Sequence, residues 1–160
     1  MKIRCFATPN DLLPGDLDGA AAIVIDTLRM TSVAAAAMSN GCAGLLACAT
    51  VEAAVAAVCK KEDYVAIVCA GTAGVFTLED ALTAGALSLC LNGDEKDDAA
   101  IAFETLWLAA RDDLPRALSA TRHYNRLLSL GFQPDLDFCL TPNRLSAACE
   151  RAEDGWFYRI

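Results

Sequence analysis

Two short stretches hold the residues with chemistry in them. The first is AAIVIDTLRMTS, residues 21–32. Its apolar run, Ala21 to Ile25, stops on a carboxylate, Asp26. Arg29 follows three residues on, and Thr31 and Ser32 open an alanine-rich helical stretch. An unbroken apolar run ending in β-branched residues suits a strand buried on both faces of a parallel sheet. Ligands of open α/β sheets sit outside the carboxyl ends of the strands, near helix N-termini. A carboxylate there holds a cation, and an arginine there forks onto a phosphate or sulfonate. Taken alone, Asp26 reads equally as a helix cap or turn residue, and Arg29 as a solvated charge.

The second stretch is VCAGTAGVFTLEDALTAG, residues 68–85. Gly71 and Gly74 are spaced for a tight turn after a strand, and exposed N–H groups in such a turn make an anion nest. There is no G-K-[ST] and no G-x-G-x-x-G, so this is neither a P-loop nor a dinucleotide fingerprint. Thr77 caps a helix whose first turn carries Glu79 and Asp80. These acids either complement the helix dipole or supply oxygen ligands to a cation. Cys69, at the strand end, is either a thiolate stabilised by the following helix or an ordinary core cysteine. His123 is the only histidine, so any Ser-His-Asp or Cys-His arrangement must use it. It sits mid-helix between Arg122 and Arg126, which share a helix face while His123 points about 100° away. That face is either a solvated surface or an anion-binding one.

The elements that must position these residues follow from the pattern. Strands are expected over Lys2–Ala7, Ala21–Asp26, Leu45–Ala49, Tyr64–Ala70 and Leu136–Leu140, with a short edge strand after Glu150. Helices are expected over Thr31–Ser39, Val51–Lys61, Thr77–Leu91, Ala99–Ala110 and Pro115–Leu130. Asn40-Gly41 closes the first helix with residues that tolerate a left-handed backbone. Pro9–Gly19 and Asn92–Asp98 read as loop and acidic turn. The alternation predicts one α/β domain over residues 1–160, a three-layer α/β/α arrangement on a mostly parallel sheet. Its 160 residues suffice for a real core.

Composition bounds the partners. The chain is 55 % hydrophobic, much of it alanine, and only 7 % aromatic, which favours helices on a sheet over an all-β sandwich. The net charge of −8 argues against nucleic acid or an anionic membrane surface. A small anionic substrate stays open, because an arginine or a divalent metal reverses the local potential. Eight cysteines lie scattered with no C-x-x-C pair, several inside apolar runs, as in a reduced cytoplasmic protein. No apolar run approaches the length of a membrane helix.

The order IDTLRMTS, SNG, VCAGTAG with LEDALTAGAL, then SATRHYNRLLSLGFQPDLDFCL resembles the 2-phosphosulfolactate phosphatase family over about Ile23 to Leu140. The resemblance implies an α/β/α fold and magnesium-dependent hydrolysis of a phosphomonoester next to a sulfonate or carboxylate, a step of coenzyme M biosynthesis. It implies catalytic roles for Asp26, Arg29 and Cys69. It implies substrate contacts from Thr31, Ser32, Asn40, Gly41, Gly71 and Gly74, and Mg²⁺ ligands from Asp26, Glu79 and Asp80. Asp135 matches an acid of the C-terminal block. An Asp26 phosphoenzyme would want a second acid two residues on, where this chain has Leu28. The family's middle block, with its G-E-R, Asn-Ser-Pro and Thr-Asn-Gly-Thr pieces, has no counterpart here: Val51–Lys61 runs almost straight into YVAIVCAG. Oligomerisation would cover the surface that block leaves, so a homo-oligomer is expected. The alternative is a non-catalytic anion-binding or regulatory relative.

Overall fold

A computed structural model describes residues 1–28, 46–48, 63–142, 148–151 and 157–159, the three short segments by backbone alone. The strands are β1 (Lys2–Phe6), β2 (Ala21–Ile25), β3 (Leu46–Cys48), β4 (Tyr64–Cys69), β5 (Glu95–Lys96), β6 (Ala148–Arg151) and β7 (Phe157–Arg159). The helices are α1 (Leu78–Leu91), α2 (Asp98–Ala110), α3 (Leu114–Leu118), α4 (Arg122–Ser129) and α5 (Gln133–Cys139). β2, β4, β1 and β5 form a four-stranded, all-parallel sheet in that order. The fold is therefore α/β, as the apolar runs predict.

The two strongest runs lie side by side. Ile25 of β2 pairs with Cys69 of β4, and Phe6 of β1 with Val68, so three parallel strands end together on one edge of the sheet. The pleat divides their side chains. Ile3, Cys5, Ile25, Val65, Ile67 and Cys69 turn to one face and pack under Ala81, Ala84, Leu87 and Leu91 of α1 and Ala100 and Phe103 of α2. Phe6, Ala66 and Val68 turn to the other and meet Leu12, Ala20 and Tyr64. Each fully buried Ile or Val contributes about 2 kcal/mol. The second helical layer expected from sequence falls on residues 31–39 and 51–61, outside the described residues.

α1 lies close to α2 because its inner face is small. A Cβ on Gly85 would stand 2.1 Å from the carbonyl oxygen of Phe103. Gly85→Ala must push the helices apart at a strain of about 2 kcal/mol. The variant is expected to melt about 6 °C lower by circular dichroism.

Four expectations are corrected. Leu136–Leu140 is not a strand but lies in α5 and its cap. Pro134 supplies the helix start, and Leu136 and Leu140 are one helical turn apart and both buried. Pro115–Leu130 is two helices rather than one, broken where Thr121 caps α4 by accepting the Tyr124 N–H. The acidic turn Asn92–Asp98 contains β5, which extends the sheet beside β1. Asp97 ends β5 at two residues: its carboxylate takes the Cys5 N–H at 3.2 Å from each oxygen and the Ala100 N–H at 2.8 Å, capping α2. Finally, β3 does not join the parallel sheet. It pairs antiparallel with β6, which pairs antiparallel with β7.

Candidate functional site

The edge where β2, β4 and β1 end carries the sequence-marked residues. After β2 the chain turns through Asp26, Thr27 and Leu28. Leu28 is buried against Leu127 of α4 and Leu136 of α5, which seats the C-terminal helices on this junction. That apolar contact is why no second acid stands at position 28. After β4 the ladder continues one step, with the Ala70 N–H donating to Ile25 O at 2.8 Å. The chain then enters a hairpin in which Thr72 and Val75 exchange both backbone hydrogen bonds. Its tip, Ala73 and Gly74, has φ of +53° and +75°, and Gly71 has +64°. A Cβ on Gly71 would lie 2.5 Å from Val75 O, so glycine is required there.

Asp80 joins the two junctions. Its Oδ1 accepts the Thr27 N–H at 2.9 Å; its Oδ2 accepts the Gly71 N–H at 3.0 Å and the Thr77 hydroxyl at 2.9 Å. The carboxylate is 3 % exposed. Three donors engage it, so Asp80 is a clamp between loops. The Gly71 N–H is likewise engaged. With the Thr72 and Val75 N–H groups bonded across the hairpin, the nest reduces to the N–H groups of Ala73 and Gly74.

Glu79 is also 3 % exposed, and its Oε1 lies 2.5 Å from Nδ1 of His123. This pair ties the start of α1 to α4 and brings the sole histidine to the site. Sequence reading left His123 open, because the partner is 44 residues away. The usable signal was the chemistry itself: a buried carboxylate needs a partner, and among the described residues His123 provides it.

Asp26 sits half-buried after β2, an outer strand of the described sheet. Its carboxyl is pushed up to about 6, first by burial, then by the nearby Asp80 and, less, Glu79; the Leu28 N–H and His123 pull the other way. A carboxylate destabilised in this way gains from a nearby cation. Among the described residues, however, no group of three or more His, Cys, Asp or Glu side chains converges to hold a metal. The donors fit a cation such as Mg²⁺ that takes one or two protein carboxylates and fills its shell from water and substrate phosphate.

Cys69 is fully buried in the β-sheet core, and its thiol is raised strongly by burial and by Asp80. Burial of this kind disfavours the thiolate, the form that attacks. Asp135 lies exposed in the first turn of α5, in keeping with that helix's dipole. Arg29, Thr31, Ser32, Asn40 and Gly41 lie outside the described residues.

The family model described as 2-phosphosulpholactate phosphatase matches residues 46–153. The chain belongs to this family. The matched range takes in the glycine hairpin, Glu79, Asp80 and His123, and starts beyond Asp26. Among curated 2-phosphosulfolactate phosphatase relatives, a probable member from Thermotoga maritima is 35 % identical over 118 residues, 74 % of this chain and 47 % of that protein. A probable member from Caldicellulosiruptor saccharolyticus is 39 % identical over 92 residues, 55 % of this chain and 38 % of that one. The 2-phosphosulfolactate phosphatase of Methanothermobacter thermautotrophicus is 31 % identical over 121 residues, 76 % of this chain and 52 % of that one. The chain thus spans about half the length, or less, of these relatives. Among the described residues no helix is long and apolar enough to cross a membrane.

Proposed function

We propose that this chain hydrolyses a small phosphomonoester carrying a neighbouring sulfonate or carboxylate, 2-phosphosulfolactate in the first instance, at the edge where β2 and β4 end. The observation that supports this most directly is the Asp80 clamp, which holds the Asp26 turn against the glycine hairpin. Hydrolysis joins a water oxygen to phosphorus and breaks the ester P–O bond, and the leaving alkoxide takes a proton. Asp26 is the carboxylate that would hold Mg²⁺, which when bound neutralises phosphate charge. His123, oriented by Glu79, is the group that would carry the proton to the leaving oxygen. Arg29, Thr31, Ser32, Asn40 and Gly41 keep the contacts that the family resemblance implies. A single domain, a cytoplasmic setting and a homo-oligomer complete the reading.

Phosphate release from 2-phosphosulfolactate tests it. Release is expected with Mg²⁺, loss with EDTA, and recovery when Mg²⁺ is restored. A second reading rests on the chain spanning only about half of its relatives' length: the anion pocket persists without turnover. No release under any condition, with sulfonate binding retained, selects that reading over hydrolysis.

A further inference from the structure

The loop after β1 is the third wall of the same edge, and sequence reading passed over it. β1 neighbours β4, so this loop lies beside the glycine hairpin. It is rigidly built. The Asp11 carboxylate accepts the Thr8 N–H at 2.7 Å and the Thr8 hydroxyl at 3.1 Å, closing a 3-10 turn over Pro9–Asp11. Asn10 projects from this turn onto the hairpin tip, where a Cβ on Gly74 would stand 2.7 Å from its Nδ2. Asn10 is exposed, and no described residue bonds its side-chain amide. The Ala73 and Gly74 N–H groups at the tip are also without protein acceptors among the described residues. The Asn10 amide thus meets a hairpin tip whose two N–H groups are uncommitted among the described residues, in a chain whose net charge is −8.

We propose that Asn10, with the Ala73 and Gly74 N–H groups, binds the second acidic group of the substrate, the sulfonate or carboxylate beside the phosphate. The proposal deepens the hydrolase reading by naming what sets its specificity. A phosphate at the β2–β4 gap and an acidic group under Asn10 stand about one strand spacing apart, ~5 Å, the reach of vicinal substituents. Neutral amide donors suit this position, because they bind an anion without placing a positive charge that would repel the cation held by Asp26.

Calorimetric titration with sulfolactate, which lacks the phosphate, tests the proposal without turnover. Asn10→Asp places a carboxylate against the sulfonate and should weaken binding at least about tenfold. Gly74→Ala, which displaces the amide, should weaken it in the same direction. Isopropyl phosphate, which has no second acid, should bind Asn10→Asp as it binds the unaltered chain. Two outcomes overturn the proposal: no sulfolactate binding by the unaltered chain, or equal sulfolactate affinity in Asn10→Asp. Absence of phosphate release, with sulfolactate still bound through Asn10, sinks the hydrolase reading and leaves this site standing.

Discussion

Asp26→Asn is expected to lower phosphate release by about a thousandfold while raising the melting temperature of the metal-free chain. The activity loss corresponds to about 4 kcal/mol of transition-state stabilisation, the scale of a missing cation ligand. The stability gain has a separate cause. The Asp26 carboxyl titrates at about 6 in the folded chain, against 3.8 for an unperturbed group. Between those values the folded state holds the proton more tightly than the unfolded state. Stability from this group is therefore highest at low pH and falls as pH rises through about 6. Near pH 4 the folded group is protonated and asparagine mimics it, so both proteins should melt together. Above pH 6 the variant escapes the penalty of burying a charge and the repulsion from Asp80, and its advantage, about 1 kcal/mol or roughly 3 °C, should be complete. Thermal melts in EDTA at several pH values measure it. Added Mg²⁺ should raise the melting temperature of the unaltered chain alone. Equal melting at pH 7, with no response to Mg²⁺ in either protein, would remove Asp26 from the cation site.

Asp80→Asn should act in the opposite direction on stability. Asparagine keeps one acceptor oxygen and cannot serve Thr27 N–H, Gly71 N–H and the Thr77 hydroxyl together. A buried donor left unmatched costs about 1–3 kcal/mol, so the variant should melt roughly 5 °C lower. Activity measured well below that melting point should still fall, by about a hundredfold, because the two junctions lose their mutual alignment. The loss should appear mainly in kcat. A rise in melting temperature for Asp80→Asn, like that expected for Asp26→Asn, would mean that Asp80 is a strained ligand and not a clamp.

How far the sequence could be read depends on the range of each interaction. β2 and β4 were legible because their apolar runs are long and β-branched, although only β4 is buried along most of its length and β2 is buried at Ile25 alone. α1 was legible from Thr77 and its first-turn acids, and the structure ends it at Asn92 in the αL conformation. β5 was not, since two residues carry no period, and it exists because β1 offers it an edge. α5 was misread because Leu136, Phe138 and Leu140 alternate with Asp137 and Cys139, a pattern that imitates a strand. Pro134 carried the helical signal. Within the site, Asp26, Glu79 and Asp80 announced themselves by type and place, but their roles did not. Those roles depend on β2 lying beside β4, which brings Thr27 to a carboxylate 53 residues away. The same tertiary step delivers His123 to Glu79 and Asn10 to Gly74.

Asp97 has a further effect at the margin of the parallel sheet. By occupying the Cys5 amide with a side chain, it halts β5 after Glu95 and Lys96 and hands the chain to α2. A longer strand at that rim would offer a row of backbone groups to any neighbouring molecule, the template from which fibrils and precipitates grow. A two-residue rim with one charge of each sign offers almost none. Losing the Asp97 carboxylate would therefore show first in storage, as turbidity in concentrated samples whose fresh solutions look sound.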